Sequence, residues 1–304
     1  MKKFGVVLFS MMFLMMGTTS CFAEKISVYD NTTKNVENFE FDDDLDIDFK
    51  LEPKEGILSK LSNVQDNSNT DIGLCSIIGE DNRFPVTPEY GNEYYPIARL
   101  TIKFPDGSVG YGTGYMISKY TMATAGHCIY DDENKCFATS IIADFGTVGD
   151  SVSLSVPSDR IKTYVYYSGY PNESYSKESD YAFINYKLAI GQLTGTIGVD
   201  SDTVCVGDTV WVTGYPSDLG NCKYMYKCSG NVESVTDSLI KYDADTYRGQ
   251  SGSPVYYKSG GKLYSYATHI YGGNYGRRLS SGLMTWLSDN GFLKWGRMIL
   301  WKRH

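Results

Sequence analysis

Histidine is scarce in this 304-residue chain, which has only three. Chemistry that needs an imidazole must therefore use His127, His269 or His304, and His304 is the last residue, where a side chain frays. Long apolar runs are scarce too. Beyond residues 4–16 no stretch is long and apolar enough to cross a bilayer. There is no internal repeat, which excludes a repeat array. Net charge is low where a polyanion partner would need it. The formal charge is -8, but residues 1–75 carry 7 Lys+Arg against 13 Asp+Glu, leaving 21 against 23 for residues 76–304. A near-neutral main body gives no footing for nucleic acid.

What the chain has in quantity is glycine and tyrosine, 31 and 26 residues, a composition that suits strands joined by many turns. From about Tyr95 short apolar runs alternate with Gly, Asn, Asp and Pro. Examples are Ile97-Ala98-Arg99-Leu100-Thr101-Ile102, Thr113-Gly114-Tyr115-Met116-Ile117, Thr209-Val210-Trp211-Val212, Leu239-Ile240-Lys241-Tyr242 and residues 263–271. Such spacing predicts an all-β sandwich or pair of barrels. Leu283-Met284-Thr285-Trp286-Leu287 and Phe292-Leu293 predict an amphipathic C-terminal helix, interrupted at Asn290-Gly291.

The N-terminus reads as an export signal over residues 1–23. Lys2-Lys3 precede the apolar run, and Cys21-Phe22-Ala23 offers a cleavage site before Glu24. The run is too short for a membrane span, so the expected product is secreted, with no stable membrane insertion. The rival is lipidation at Cys21, to which Thr18-Thr19-Ser20 is a poor match. Export permits disulfides. Of seven cysteines, Cys21 falls in the signal. Cys128 and Cys136, and Cys222 and Cys228, are close enough in sequence to close locally; Cys75 and Cys205 remain, and sequence alone does not set the connectivity. A zinc site from His127, Cys128 and Cys136 is the rival reading, but it lacks a fourth ligand at sensible spacing. No metal or cofactor is expected.

Residues 24–75 differ from the rest. Asp42-Asp43-Asp44 and most of the nearby acids lie within residues 37–55, and residues 62–71 are rich in Asn, Ser and Asp. Such a segment has little to bury and orders only against a partner. It reads as a pro-segment removed from a domain spanning residues 76–304, the rival being a solvated tail that stays attached.

The stretch richest in chemistry is Asp245-Thr246-Tyr247-Arg248-Gly249-Gln250-Ser251-Gly252-Ser253-Pro254. Its glycines permit a turn that exposes the Ser251 hydroxyl and aims amides at one point. A serine needs a base to become a nucleophile. Without one, the stretch is a Gly/Ser turn between strands. His127, in Thr124-Ala125-Gly126-His127-Cys128 at a strand end, is the candidate base, and His269 follows Ser251 by 18 residues. The base needs an orienting carboxylate. Asp180 directly precedes the apolar Tyr181-Ala182-Phe183-Ile184, which sets it apart from acids in polar stretches. The order His127, Asp180, Ser251 disagrees with an α/β-hydrolase, which also needs Gly where this chain has Ser253.

Thr124-Ala125-Gly126-His127-Cys128, Ser179-Asp180-Tyr181-Ala182 and Gly249-Gln250-Ser251-Gly252-Ser253-Pro254 resemble the three catalytic motifs of chymotrypsin-like serine peptidases. More narrowly, the chain resembles the bacterial glutamyl endopeptidases of that clan up to about residue 290, and Ser76-Ile77-Ile78-Gly79 resembles their mature N-terminus. The resemblance implies two six-stranded antiparallel β-barrels with the site between them. It also implies an oxyanion hole from the amides of Gly249 and Ser251, and a monomer cleaving proteins or peptides after Glu, with Asp second. His269, in Thr268-His269-Ile270-Tyr271-Gly272-Gly273, and Thr246 match the family's pocket positions. A buried substrate carboxylate needs such donors. Free after a cut behind Cys75, the Ser76 amine would help bind that carboxylate. Where many animal zymogens keep an acid for the new N-terminus, this chain has Gln250. Bacillary members carry a cysteine at the position of Gly112, which in them pairs with the one at Cys128. The alternatives are a trypsin-like peptidase of other specificity, for which Asp245 is the relevant acid, and a binding pseudo-peptidase, although no triad position is replaced.

Overall fold

A computed structural model describes residues 23–42, 47–52, 77–170, 173, 176–200, 203–270, 273–293 and 298–302. Two sheets make up its bulk. The first half supplies strands β3 (Ile97–Lys103), β4 (Val109–Met116), β5 (Thr121–Thr124), β6 (Ser140–Phe145), β7 (Ile161–Tyr167) and β8 (Ala182–Tyr186). The second supplies β9 (Thr209–Gly214), β10 (Met225–Val235), β11 (Leu239–Tyr242), β12 (Pro254–Ser259), β13 (Lys262–Ile270) and β14 (Tyr275–Arg278). The predicted strands are all present, within a few residues of their expected ends.

The second half closes on itself. Its order is β12-β9-β10-β11-β14-β13, and β13 pairs back to β12, giving a six-stranded antiparallel barrel. Along β10, Cys228, Gly230 and Val232 are buried while Ser229, Asn231 and Glu233 are exposed, the period of two that fixes register when one face meets a core. Val210, Val212, Val232, Ile240, Val255 and Ala267 fill that barrel.

The first half keeps the same six-strand path, β6-β3-β4-β5-β8-β7, but the edge of β7 pairs with a hairpin from the acidic segment. The hairpin strands are β1 (Ala23–Asp30) and β2 (Val36–Asp42). β1 lies antiparallel to β7, with Ile26 opposite Tyr167 and Asp30 opposite Thr163. Ile26 is completely buried, and Phe39 packs against Trp286 of the C-terminal helix α1 (Ser281–Asp289) with ring centroids 5.3 Å apart. The partner that orders this part of the acidic segment is the chain's own first sheet. A shared core of Ile97, Tyr115, Phe183, Tyr215 and Leu283 joins the two halves. Helix α1 stops before Asn290-Gly291, where Gly291 turns to φ +79°. Among the described residues no helix is long and apolar enough to cross a membrane.

Candidate active site

The fully buried strand β5 runs into a single helical turn, Gly126–Cys128, and this turn presents His127. Gly126 cannot be another residue here, because a Cβ would lie 1.5 Å from the Tyr170 hydroxyl. That hydroxyl donates to the Ser179 carbonyl at 2.7 Å, bracing the loop that carries Asp180. Asp180 is completely buried and grips its neighbour twice. Its Oδ1 accepts the His127 backbone N–H at 2.9 Å, and its Oδ2 lies 2.8 Å from His127 Nδ1. Burial pulls the His127 pKa down. The Asp180 carboxylate, by its charge and its hydrogen bond, more than offsets this, so the ring stands above its ordinary value. With the proton on Nδ1 facing Asp180, Nε2 is left bare in the neutral ring.

Ser251 lies in the loop between β11 and β12. Gly249 and Gly252 hold φ of +91° and +89°, and a Cβ on Gly252 would lie 1.9 Å from the Thr113 carbonyl. The loop is clasped by the first half. Thr113 donates its hydroxyl to the Gly249 carbonyl at 2.8 Å and its backbone N–H to the Ser251 carbonyl at 2.8 Å. Cys128, the residue after His127, also directs its thiol at the Ser251 carbonyl, 3.7 Å away. On the other side, Gly252 donates to the His269 carbonyl and His269 donates to the Ser253 carbonyl, at 2.7 and 2.8 Å. His127, Asp180 and Ser251 are thus drawn to one seam between the halves, with His269 beside it. Among the described residues the amides of Gly249 and Ser251 donate to no protein acceptor.

His269 is 5% exposed, and burial, aided by the nearby His127, lowers its pKa to about 4. Its Nδ1 meets the Tyr242 hydroxyl at 2.5 Å. Thr246 is buried and donates its hydroxyl to Asn274 Oδ1 at 2.6 Å. Asp245 is 2% exposed, and both its oxygens serve the chain. Oδ1 accepts the Ile78 N–H at 2.7 Å and Oδ2 the Asn82 N–H at 2.9 Å. Arg83, just beyond, pairs with Asp81 and Asp218 and lies over the Tyr247 ring. Asp245 is therefore the clasp that fixes residues 78–82 against the serine loop. Ser76 lies outside the described residues, as do Tyr271 and Gly272.

Three contributors were not found in the sequence. Tyr242 and Asn274 carry no motif, and only the barrel brings them to His269 and Thr246. Arg277 is completely buried on β14, donates to the Glu178 carbonyl and lies over the Tyr181 ring, so the second half braces the Asp180 loop of the first. Its signal was the charged pair Arg277-Arg278 in a strand with apolar neighbours.

The expected local disulfides do not form, and Cys128, Cys136, Cys205, Cys222 and Cys228 are unpaired. Cys222 turns under Gly249, whose Cβ would lie 2.7 Å from its sulfur, while Cys228 faces the core of the second barrel. Cys128 is buried beneath Ser251, and Cys136 sits in a separate two-stranded turn. Among the described residues no three His, Cys, Asp or Glu side chains cluster as metal ligands.

Two barrel-like halves with a serine loop, a histidine and a buried aspartate at their seam define the class. A profile described as the trypsin-like peptidase domain matches residues 112–264, and the chain belongs to that family of serine endopeptidases. Within it, the chain is 34% identical over 210 residues to a glutamyl endopeptidase of Bacillus licheniformis, a match covering 66% of this chain and 63% of the relative. It is 32% identical over 216 residues to a protein of Bacillus subtilis named an extracellular metalloprotease, covering 68% and 66%. A Staphylococcus aureus glutamyl endopeptidase is 25% identical over 192 residues, covering 59% and 48%. The chain thus spans less than two thirds of the length of these relatives. Among solved structures, a Glu endopeptidase superposes with a TM-score of 0.57 at 22% identity, covering 70% of this chain and 98% of that one. The protease Anisep from Arthrobacter nicotinovorans superposes at 0.55 and 18%, covering 68% and 98%. Both show the trypsin-like fold.

Proposed function

We propose that the protein is a secreted endopeptidase that hydrolyses peptide bonds after Glu, with Asp second, through an acyl-enzyme. His127 Nε2 takes the Ser251 proton as the hydroxyl oxygen attacks the scissile carbonyl, then gives it to the leaving amine. Water repeats the sequence on the ester. Asp180 fixes the tautomer and stabilises the imidazolium. The amides of Gly249 and Ser251 receive the oxyanion, where one good donor is worth about 10²–10³ in rate. The observation that carries this reading is the clasped serine loop, held by Thr113 and Cys128 on the His127 side and by His269 on the other.

Glutamate fits the second side better than a basic residue does. A trypsin-like pocket for Lys or Arg needs a free acid, and both Asp245 oxygens are engaged by the Ile78 and Asn82 amides. His269 offers an imidazole beside the serine loop instead. The Asp245 clasp also favours a role for the Ser76 amine, since Ser76 lies two residues before Ile78. Release of that amine by a cut between Cys75 and Ser76 is part of the proposal. Secretion is supported by the export signal and by the extracellular relative. A binding-only role is disfavoured because no triad position is replaced.

The test is a digest of an unstructured protein by the purified secreted enzyme, mapped by mass spectrometry, with Ser251→Ala as control and N-terminal sequencing of active material. Cuts clustering after Glu, absent from the Ser251→Ala digest, support the reading. Cuts after Lys or Arg, or retained activity in Ser251→Ala, sink it, and a start far from Ser76 removes the amine from the pocket.

A further inference from the structure

We propose that Arg83, acting through Asp218 and Ser217, holds the Arg248–Gly249 peptide so that the Gly249 amide faces the oxyanion, an inference that rests on the acyl-enzyme reading. That peptide is the loose one in the serine loop. The peptide after it is held at both ends. The Gly249 carbonyl accepts the Thr113 hydroxyl at 2.8 Å, and the Gln250 N–H donates to the Tyr247 carbonyl at 3.0 Å. Gly249, at φ +91°, has the backbone freedom that lets the peptide before it turn over. Turned over, that peptide would present the Arg248 carbonyl to the oxyanion in place of an N–H.

Among the described residues one hydrogen bond sets the choice. The Arg248 carbonyl accepts the Ser217 N–H at 2.7 Å. In a trans peptide the C=O and N–H point opposite ways, so the Gly249 N–H faces away from Ser217. Ser217 belongs to the turn of residues 215–222 between β9 and β10, which lies directly beneath Gly249. A Cβ on Gly249 would lie 2.4 Å from the Tyr215 carbonyl oxygen and 3.3 Å from Ser217 N. The turn carries strain of its own. Asn221 and Cys222 hold φ of +55° and +60°, which costs a cysteine more than an asparagine.

Arg83 fastens this turn. Its side chain is 1% exposed, and Nη1 donates to Asp218 Oδ1 at 2.9 Å while Nη2 donates to Asp218 Oδ2, a bidentate pair beside Ser217. The same guanidinium donates to Asp81 from Nε and Nη2, at 3.0 and 2.8 Å, and lies over the Tyr247 ring. Asp245 anchors Ile78 and Asn82 just before it. The contacts form a closed ring, from Asp245 through residues 78–82, Arg83, Asp218 and Ser217 back to Arg248. Arg83 touches no reacting atom, so it is a positioning residue. A lysine there would match its charge but not its planar fork.

The experiment compares the parent with Arg83→Met, Arg83→Lys and Asp218→Asn on one well-cut peptide, with rates taken per active site counted by complete reaction with a fluorophosphonate. Loss of one oxyanion donor costs about 10²–10³ in kcat, the ceiling for a misaimed Gly249 amide. Arg83→Met should lower kcat about 100-fold and Asp218→Asn about tenfold, with KM within about twofold, and Arg83→Lys should recover part of the loss. The aldehyde of the same peptide forms an adduct that carries the oxyanion. It should inhibit each variant more weakly by the factor that kcat falls. Where Arg83→Met does not fold, Asp218→Asn, which keeps Arg83 on Asp81, decides. An unchanged kcat in Asp218→Asn overturns the proposal. So does a fall in kcat with aldehyde inhibition unchanged, or a loss carried by KM, since either marks a merely structural role. Hydrolysis that survives Ser251→Ala is seen before any Arg83 variant is made, and it removes the acyl-enzyme reading and this inference together.

Discussion

His127 and His269 belong to the two halves of the molecule, and their surroundings push their protons in opposite directions. The first half keeps its ring partly open, with 27% of the side chain exposed, and gives it a fully buried carboxylate, so the pKa rises. The second half buries its ring beside a neutral phenol, and the pKa falls to about 4. The sheets differ in the same sense. The second closes into a barrel by its own β12–β13 pairing, whereas the first offers the edge of β7 to a hairpin from outside the family domain. One half is arranged for a changing charge and an adjustable edge, the other holds a buried, neutral ring. The serine loop between them uses both.

The sharpest way to break this contrast is to remove the first half's charge. Asp180→Asn keeps the shape but favours the wrong His127 tautomer, with Nε2 protonated toward Ser251. Activity should fall about 10⁴-fold, and the His127 pKa should return toward or below about 6.5. Steady-state kinetics with a titration of the ring by NMR checks both. In the unaltered enzyme the acid limb of kcat/KM should lie above pH 6.5, because the base must be neutral and its pKa is raised.

The edge comes next. Ile26→Asp in the full-length chain puts an unpaired charge at a completely buried position and should cost about 4 kcal/mol in urea unfolding of a Ser251→Ala background. Unchanged stability would mean that the hairpin is a bystander on β7.

Acid should separate the halves further. His269 is neutral in the fold with a pKa near 4, below about 6.5 in the unfolded chain. Its contribution is therefore present in full above pH 6.5 and lost as the pH falls toward 4, by at most about 3 kcal/mol. His127 has the opposite sign, its stabilisation being lost as the pH rises through its raised value. Urea unfolding from pH 7 to 4.5 should show His269→Leu losing less stability over that window than the parent. Parallel curves would mean that the ring is not held neutral by burial.

The strands were legible in the sequence because they depend on local signals, and so were the candidates His127, Asp180 and Ser251 that the fold draws to one seam. Short apolar runs between turn residues mark the strands, and His127, Asp180 and Ser251 each stand in a short motif. What was hidden depends on contacts between distant residues. Nothing local distinguishes Tyr242 from the chain's other tyrosines. Asp245 only adjoins the expected pocket position, which Thr246 holds, and its bonds to the Ile78 and Asn82 amides, invisible in the sequence, make it a clasp. The acidic segment carries few apolar residues, yet Ile26 and Phe39 dock its first strands. Cysteine proximity in sequence misled because Cys222 and Cys228 face different cores, while Cys136 sits in a separate two-stranded turn away from buried Cys128.

The smallest expected effect sharpens the comparison from the other side, by giving the open half a staple that the closed half does not need. A Cβ at Gly112 on β4 would lie 2.7 Å from Cys128 Sγ, too close for an unlinked side chain and close enough to bridge. Gly112→Cys should therefore form a disulfide with Cys128 under oxidation. The bridge would tie β4 to the turn bearing His127, at the point where the Ser251 carbonyl also rests. The loop it closes is short, so the gain in unfolding free energy should be about 2 kcal/mol, abolished by reductant. Thiol titration checks the chemistry, since the oxidised variant should show one free thiol fewer than the parent. If both thiols titrate, or if oxidation gives no stabilisation that reductant removes, β4 is already as tightly held as the barrel strands, and the difference drawn between the halves does not extend to the serine loop.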